Sequence, residues 1–281
     1  MNYMIIMKKK VGILGLGEIG NSIQQVYYRK YSNGVTRFSY VKDLKEMITA
    51  NKFAGTDITN CEVLHVCIPY APEIFVNTVC EQMEKMPFLK ILIIHSTIKV
   101  NTLGYIKAQV NVLNQIHKAK REIAIAHCPV IGVHPNLAEG ILTFPMFVGS
   151  DYTKDANTVS LHLNMLGIKT FQIPAKASAL LKLMSTSYYG VCIAYHAEMK
   201  KMCDQSGVDF SLVEIWTDYY NKGYTKLGKA NVARPNLFWN DDKIGGHCII
   251  PNAKILKDIF PDNPAIDLIL KYSGEKEDGS K

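Results

Sequence analysis

Short apolar runs alternate with helical patterns from Lys10 to Gly149. Val, Ile and Leu dominate several of these runs, which is typical of strands buried on both faces of a parallel sheet. Strands are predicted at Lys10–Leu16, Thr36–Val41, Glu62–Ile68, Lys90–His95, Glu122–His127 and Met146–Gly149. Helical patterns such as Ile19–Tyr31 and Ala71–Met86 lie between them. This alternation predicts an α/β fold with a Rossmann-type doubly wound parallel sheet.

The pattern changes after Pro174. The segment Ala175–Cys203 contains no proline, and Gly190 is its single glycine. Large apolar side chains recur there at steps of three and four, at Leu181, Met184, Tyr188, Val191, Tyr195, Met199 and Met202. Such spacing predicts one long amphipathic helix, which Gln205-Ser206-Gly207 ends. Asp209 and Ser211 then offer N-cap side chains for a further helix, because short polar side chains accept bonds from the first helical N–H groups.

These patterns divide the chain into three parts. Residues 1–173 are predicted to form the α/β domain, and residues 174–272 a smaller all-helical domain built on the long helix. Residues 273–281 are polar and are expected to be a disordered tail.

A glycine motif follows the first predicted strand and opens the first predicted helix. Its sequence is Gly15-Leu16-Gly17-Glu18-Ile19-Gly20. In this setting the first glycine permits a tight turn, the second lets a pyrophosphate approach the backbone, and the third lets the helix pack closely on the sheet. The free N–H groups of the helix N-terminus, including those at Glu18 and Ile19, would face the phosphates. The motif therefore predicts dinucleotide binding, with a purely structural strand–helix turn as the alternative.

An acidic side chain is expected at the end of the second strand, where it would hold the ribose hydroxyls. Asp43 is the best candidate, and Tyr40 or Lys42 could occupy that corner instead. Lys42 and Arg37 would favour the 2′-phosphate of NADP. With the acidic Asp43 in that corner we expect NAD, and NADP is the alternative. The alternative role for Asp43 is to cap the next helix.

Two further features carry reactive side chains. Gly245-Gly246-His247-Cys248 places a cysteine at the exit of a glycine turn, where backbone can approach a ligand closely. A buried, inert cysteine is the alternative. Lys182 stands beside the apolar stripe of the long helix. Near a cofactor it could act as a general acid or hold a developing oxyanion, whereas a lysine beside an apolar stripe usually only extends its head to water.

The order of these features resembles the family of UDP-glucose, GDP-mannose and UDP-N-acetylmannosamine dehydrogenases, within the 6-phosphogluconate dehydrogenase-like superfamily. The glycine motif is followed by the landmarks Cys67-Ile68-Pro69, His95-Ser96-Thr97, His127-Cys128-Pro129, Lys182 with Glu198, and Gly245-Gly246-His247-Cys248. The resemblance covers the N-terminal and central domains only. It implies an NAD(P)-dependent oxidoreductase that transfers hydride between the nicotinamide and an alcohol, aldehyde or keto group of a small-molecule substrate, with a nucleotide sugar as the family's substrate class.

The resemblance also implies roles for individual residues. Cys248 would attack an aldehyde intermediate as a thiolate, and Lys182 would stabilise oxyanions and assist proton transfer. Thr97 would lie near the nicotinamide and the water, as both a catalytic and a cofactor-binding residue, and Pro69 would also contact the cofactor. The implied substrate-binding residues are Thr186, Gly245, Gly246 and Asn252. Cys248 and Lys182 are expected to meet in one cleft beside the nicotinamide.

Three positions depart from the family. Val130 stands where the family has Glu, Thr186 where it has Asn, and Asn252 where it has Asp. Because Val130 and Asn252 lack the carboxylates that would activate water, hydride transfer is expected to be two-electron or to stall at a covalent thioester. The chain also stops where the family's second nucleotide-binding domain would begin, so it is either a fragment or a protein without that domain. The alternatives are a two-electron hydroxyacid-type dehydrogenase or imine reductase, and a catalytically degenerate nucleotide-binding protein.

Charge and composition limit the partners. The formal net charge is +7, but no long basic tract occurs, so nucleic acid is not expected. No apolar run approaches the ~18 residues of a membrane helix, so no membrane partner is expected. Seven cysteines without a CxxC pair fit free thiols in a reducing cytoplasm, and no metal site is predicted. The long helix carries more large apolar side chains than one small domain covers, which predicts a homodimer.

Overall fold

The computed structural model describes residues 10–31, 40–42, 58–116, 121–132, 135–237 and 243–274. The chain forms two compact units, Met1–Lys182 and Leu183–Lys281. This division falls inside the long helix, and the predicted domain boundary after residue 173 stays a prediction. Most of the predicted tail and most of the second predicted strand lie outside the described residues.

The first unit is built on a seven-stranded sheet of order β2-β1-β3-β4-β5-β6-β7. The strands are β1 (Val11–Leu14), β2 (Tyr40–Lys42), β3 (Val63–Val66), β4 (Ile91–Ile94), β5 (Ala124–His127), β6 (Met146–Gly149) and β7 (Thr170–Ile173). Neighbouring strands are parallel except β5 and β6, which pair antiparallel. The predicted Rossmann-type sheet is confirmed, with one antiparallel step that the sequence pattern did not reveal.

Helices cover both faces of this sheet. In the first unit they are α1 (Glu18–Tyr31), α2 (Pro72–Glu84), α3 (Thr102–Ile116), α4 (Leu137–Thr143) and α5 (Thr153–Met165). All four residues of β1, β3, β4 and β5 are buried, so each strand contributes to two apolar clusters. Ile13 and Ile93 pack in one cluster with α1 and α5, while Leu14 and Leu92 pack in the other with α2 and α3. Burial on both faces explains the continuous apolar runs in the sequence.

The strand β7 was not predicted. Its residues Thr170–Ile173 include two polar side chains, and none of the four is buried. It pairs with one neighbour, β6, at the edge of the sheet. A strand in this position needs no apolar run, so the pattern used for the other strands could not detect it.

The long helix α6 spans Ala175–Ser206, three residues beyond its predicted C-terminal end at Cys203. Its buried positions are mostly small, namely Ala175, Ser178, Ala179, Ser187, Gly190, Ala194 and Ala197, with Leu183 and His196 as the two larger ones. The large side chains at Leu181, Met184, Tyr188, Tyr195 and Met202 are more than half exposed. The helix therefore buries its small residues and exposes most of its large apolar ones. The small residues permit close packing on the core side.

All secondary-structure elements in the described part of the second unit are helices. After the C-terminal part of α6 come α7 (Ser211–Lys226), a 3-10 turn (Ala230–Val232), α8 (Ile249–Ile259) and α9 (Pro264–Lys271). The backbone N–H of Ser211 donates to the Asp209 carboxylate over 3.0 Å. The residue at the N-cap is Phe210, so the predicted side-chain cap by Asp209 or Ser211 is wrong: Asp209 precedes the cap and Ser211 is already the first helical residue. A Cβ atom added at Gly190 would lie 2.6 Å from Ile249, so α6 needs glycine there to pack against α8. Within the described part of the chain, no helix is long and apolar enough to cross a membrane.

Candidate functional site

The glycine turn lies after β1, at the carboxyl edge of the parallel sheet. Gly15 has a φ of +98°, and a Cβ atom there would lie 2.9 Å from the carbonyl carbon of Cys67. A Cβ atom at Gly20 would lie 1.9 Å from the carbonyl oxygen of Gly15. Both positions therefore require glycine for the fold itself, because the turn and the helix are packed against backbone.

Gly17 differs from its two neighbours in the motif. It is exposed, its φ is not positive, and a Cβ atom there would meet no protein atom within 4 Å. The described protein thus gives no packing reason for glycine at this position. Glu18 and Ile19 follow in the first turn of α1, where helix N–H groups favour an anionic ligand. This arrangement fits a dinucleotide, whose pyrophosphate would approach the backbone at Gly17.

The structure describes only part of the region that is expected to bind the ribose. The backbone of Tyr40–Lys42 pairs with β1, which puts the end of β2 beside the glycine turn. Asp43 and Arg37 lie outside the described residues. The roles of Asp43 and of the alternatives at Tyr40 and Lys42 therefore stay predictions, and so does the choice between NAD and NADP.

The loops after β3 and β4 meet at the same edge. Backbone hydrogen bonds continue the sheet from Leu14 to Cys67 and from Val66 to His95. The Ser96 hydroxyl donates to the carbonyl oxygen of Ile68 over 2.6 Å and joins the two loops. Pro69 follows directly on one loop and is exposed, and Thr97 follows on the other and is half-buried. Both predicted cofactor contacts thus follow residues that are fixed at the carboxyl edge.

Two histidine side chains join the loop after β4 to the loop after β5. His95 Nδ1 lies 2.6 Å from the carbonyl oxygen of Cys128, and His127 Nε2 lies 3.1 Å from the carbonyl oxygen of Ser96. Because a carbonyl oxygen can only accept, both ring nitrogens donate. Burial lowers the pKa of His95 to about 4 and that of His127 to about 3. Both rings are therefore neutral donors at neutral pH.

Lys182 reaches this edge from α6. Its ammonium donates to the carbonyl oxygen of Val130 over 3.0 Å. One turn earlier on the same helix, the Ser178 hydroxyl lies 2.8 Å from His127 Nδ1. The Lys182 charge also lowers the pKa of His127, although burial is the larger cause. The structure thus brings Lys182 to the loop after β5, within the same unit as the glycine turn.

Val130 occupies the position where the resembled family has glutamate. Its side chain is buried in the apolar cluster that includes Leu137 and Ile141. The following loop is closely packed, since a Cβ atom at Gly132 would lie 2.8 Å from Leu137. The contribution of Val130 to the site is therefore its carbonyl oxygen, which holds Lys182.

The second unit carries the remaining predicted residues. Gly245 and Gly246 precede Cys248, and Gly246 has a φ of +81°. The Cys248 thiol is free and exposed, and the residue directly precedes α8. This corrects the alternative of a buried cysteine, and the reactivity of the thiol stays a prediction. Asn252 is buried on the first turn of α8, and Thr186 is half-buried on α6.

Glu198 is hydrogen-bonded to residues at the end of α9. Its carboxylate accepts hydrogen bonds from Lys271, over 2.7 Å, and from the Tyr272 hydroxyl. These donors lower the pKa of Glu198 to about 2. The residue therefore joins α6 to the C-terminal end of α9, and the family spacing between Lys182 and Glu198 does not identify a second acid–base group here.

A cleft of about 200 Å³ lies elsewhere in the first unit, lined by Lys107, Tyr152 and Asp155 among others. None of its lining residues was predicted to act in the site. Lys107 is paired with the buried Asp155 over 2.5 Å, which leaves little net charge for a ligand. Within the described ranges, no group of three His, Cys, Asp or Glu side chains is arranged to hold a metal ion.

His127, Ser178 and His95 were not predicted as site residues. A usable signal was present, since His65, His95 and His127 stand in or directly after three successive buried strands. A polar ring in such a strand must find hydrogen-bond partners inside the fold. The pattern indicates that partners exist, but the pairing of loops becomes visible only in the structure.

Solved structures of dehydrogenases share this fold. The UDP-D-ManNAc dehydrogenase from Pyrococcus horikoshii has a TM-score of 0.71 at 16% identity, covering 94% of this chain and 68% of that one. A UDP-glucose dehydrogenase from Pyrobaculum islandicum has a TM-score of 0.69 at 11% identity, covering 94% and 67%. The 3-hydroxyisobutyrate dehydrogenase from Mycobacterium tuberculosis has a TM-score of 0.60 at 15% identity, covering 93% and 91%. The Rossmann-type dehydrogenase fold is therefore confirmed.

Curated relatives narrow the resemblance. UDP-N-acetyl-D-mannosamine dehydrogenases from two strains of Methanococcus maripaludis are each 24% identical over 168 residues, which is 58% of this chain and 34% of theirs. This chain thus spans about a third of the length of the curated relatives it matches. No family model matches the chain. The predicted resemblance to the UDP-sugar dehydrogenases is confirmed by the names of these relatives.

Proposed function

We propose that the chain is an NAD(P)-dependent oxidoreductase that transfers hydride between the nicotinamide and an alcohol, aldehyde or keto group of a nucleotide sugar. One observation carries the proposal. The glycine turn lies at the carboxyl edge of the sheet, and the Lys182 ammonium contacts the loop after β5 at the same edge, which is where doubly wound sheets bind their ligands. The relatives named as UDP-N-acetyl-D-mannosamine dehydrogenases support the nucleotide-sugar substrate.

The residues of the first unit would bind and orient the dinucleotide cofactor. The backbone at Gly15, Gly17 and Gly20, with the first turn of α1 at Glu18 and Ile19, holds the pyrophosphate. Pro69 and Thr97 border the nicotinamide end. Asp43 holds the ribose, which favours NAD over NADP. When bound, the cofactor supplies the hydride acceptor.

Lys182 handles charge and proton transfer at the reacting oxygen. Its ammonium donates a hydrogen bond to the Val130 carbonyl, which holds the positive charge at a defined position. A fixed cation stabilises the alkoxide that develops as hydride leaves the carbon. Thr186 adds a hydroxyl for substrate binding on the same helix.

Cys248 serves the second oxidation. Its exposed thiol lies at the N-terminus of α8, where helix N–H groups stabilise negative charge. Attack on the aldehyde would give a hemithioacetal. Transfer of its hydride to a second NAD(P), with loss of the hydroxyl proton, would give a thioester, and water would hydrolyse this to the acid and release the thiol. Gly245 and Gly246 allow backbone to approach the substrate, and Asn252 is a further proposed substrate-binding residue.

A two-electron oxidation that ends at the aldehyde is the second candidate. It is favoured by Val130 and Asn252, because Val130 has no carboxylate and both side chains are buried. Neither can therefore activate water for hydrolysis of a thioester. In that case Cys248 would retain an adduct or take no part.

The two candidates differ in their yield of NADH. We expect the wild type to reduce two NAD per UDP-N-acetylmannosamine or UDP-glucose if the four-electron reaction operates. The Cys248→Ala variant should then reduce one, because the first hydride transfer does not need the thiol. The measurement is NADH absorbance at completion with limiting substrate, combined with mass spectrometry of Cys248.

Controls separate the remaining outcomes. A yield of one NADH in both proteins supports the two-electron candidate, and a thioester mass on Cys248 indicates arrest before hydrolysis. Cys203→Ala, at a half-buried cysteine with no proposed role, should match the wild type. Absence of NADH formation with either sugar nucleotide, despite NADH binding, would contradict the proposed substrate class.

We further propose that the chain assembles as a homodimer through α6 and α7. None of the sixteen residues of α7 is buried, and Trp216 and Tyr219 are 70% and 71% exposed. Tyr188, at 69% exposure, adds to this apolar surface on α6. An exposed apolar surface of this kind is typical of an interface, and a second copy covers it reciprocally.

Light scattering at micromolar concentration should give twice 31.5 kDa. Trp216→Glu should shift the mass toward the monomer, because a carboxylate buried without a partner is unfavourable. The matched control is Tyr105→Glu, on the exposed side of α3 in the first unit. A monomeric wild type, or equal masses for the two variants, would contradict this interface.

A further inference from the structure

A line of buried polar side chains crosses the first unit. The Tyr27 hydroxyl on α1 lies 2.8 Å from His65 Nε2 and 2.7 Å from His162 Nε2. His65 Nδ1 lies 2.9 Å from His95 Nε2, and the two rings stack at 5.2 Å. The line ends at the carbonyl oxygen of Cys128, which His95 Nδ1 contacts. It thus connects the helix of the glycine turn with the loop after β5.

The end of this line fixes the proton positions along it. His95 donates from Nδ1 to a carbonyl, and because it is neutral its Nε2 must accept. His65 therefore donates from Nδ1 to His95 and accepts at Nε2 from the Tyr27 hydroxyl. Burial lowers the pKa of His65 well below its usual value and raises that of Tyr27. The bonds can therefore form only with one set of tautomers, all pointing toward the Cys128 carbonyl.

The two histidines at the strand ends form a reciprocal pair. His95, directly after β4, donates to the first residue after β5, which is Cys128. His127, the last residue of β5, donates to Ser96 on the loop after β4. Each loop is thus held by the side chain of the other strand. One loop carries Thr97, and the other carries the Val130 carbonyl that anchors Lys182.

We propose that His95 and His127 are positioning residues that set the distance between Thr97 and the Lys182 anchor, with His65 and Tyr27 completing the hydrogen bonds of the His95 tautomer that donates to Cys128. This inference rests on the proposed function, because its consequence is the alignment of cofactor and proton donor. Hydrogen bonds buried away from water hold loops at fixed distances, and misplacement by about 1 Å costs up to about 100-fold in rate. The two rings touch neither cofactor nor substrate in this role.

Two substitutions of His127 distinguish the role of its hydrogen-bond donor from that of the imidazole ring. The amide of glutamine reproduces a donor at the Nε2 position, so His127→Gln keeps the bond to Ser96, whereas His127→Leu removes it. Ser178 keeps an acceptor in both variants, because its hydroxyl also lies 3.2 Å from the His127 carbonyl oxygen. Val159→Ala is the control for general loosening, since Val159 is fully buried in the apolar cluster that also contains Cys128 and Val130, and its side chain cannot form a hydrogen bond.

The first experiment measures single-turnover NADH formation and the Kd of NADH. We expect His127→Leu to lower the rate by about 10- to 100-fold with a nearly unchanged Kd, and His127→Gln to restore most of the rate. A wild-type rate in His127→Leu, no rescue by His127→Gln, or an equal loss in Val159→Ala would overturn the proposal.

The second experiment needs no substrate or cofactor, so it remains decisive if the proposed function fails. Nitrogen-15 spectra of the wild type should show His95 and His65 protonated at Nδ1 and His127 at Nε2. Hydrogen exchange at the amides of residues 96–98 and 130–132 should rise in His127→Leu and return in His127→Gln. The opposite tautomers, or unchanged exchange in His127→Leu, would overturn the positioning role.

Discussion

Replacing Gly17 by valine is expected to abolish tight binding of NADH while leaving the fold of the first unit intact. A Cβ atom at Gly17 meets no protein atom within 4 Å, so the substitution creates no clash inside the protein. A bound pyrophosphate would occupy that space and would be displaced by the valine methyl groups. Inserting such groups into a close contact costs about 1–3 kcal/mol, which corresponds to a rise in Kd of about 5- to 150-fold.

The chain provides a matched control for this variant. Gly104 lies in the first turn of α3, and a Cβ atom there also meets nothing within 4 Å. Gly104→Val therefore makes the same chemical change at a helix start with no predicted ligand. Fluorescence titration with NADH should give wild-type binding for Gly104→Val and strongly weakened binding for Gly17→Val. Equal binding by the two variants, or no binding by the wild type, would refute the assignment of the dinucleotide site.

The glycine motif shows how far sequence reasoning reaches. The spacing of Gly15, Gly17 and Gly20 predicted a tight turn, a ligand approach and close helix packing, each at one position. The structure confirms the turn at Gly15 and the packing at Gly20, where a Cβ atom would meet backbone. These contacts are local in the chain, so a motif of six residues contains the information. The ligand approach at Gly17 stays a prediction, because nothing in the protein tests it.

Contacts between distant segments were beyond the sequence. The bonds from His95 to Cys128 and from His127 to Ser96 join residues more than thirty positions apart, and no periodic pattern reports them. The Lys182 contact with the Val130 carbonyl is of the same kind. Its acceptor is a backbone atom, which every residue type provides. The sequence predicted no role for Val130, because its side chain replaces the family's glutamate. The contact with Lys182 uses the backbone carbonyl and does not depend on that side chain.

The long helix shows a different limit. The period of its large apolar residues correctly predicted a helix, but periodicity alone does not say which face packs on the core. Small residues such as Ala179, Ala194 and Ala197 face inward, and Tyr188 and Tyr195 face outward. A hydrophobicity pattern gives greatest weight to the largest side chains. It therefore identifies the exposed apolar face more strongly than the buried one.

Replacing Lys182 by methionine is expected to lower the rate of hydride transfer by about 100- to 10,000-fold, the range for loss of a positioned acid–base group. Methionine keeps the length and the apolar stem of lysine but removes the ammonium, so the developing alkoxide loses its cation. The Kd of NADH should stay near that of the wild type, because the pyrophosphate is held at the glycine turn. Loss of a partner for the Val130 carbonyl should also lower the free energy of unfolding, by about 1–3 kcal/mol.

The control for this variant is Lys176→Met, which makes the same change at an exposed lysine of α6 with no proposed role. Single-turnover rates with UDP-N-acetylmannosamine, NADH titration and thermal unfolding are measured for both. The proposal requires a large loss of rate in Lys182→Met alone, with similar NADH affinity in both variants. If the two variants react equally fast, Lys182 only anchors the helix to the loop after β5. The proton donor must then be sought elsewhere.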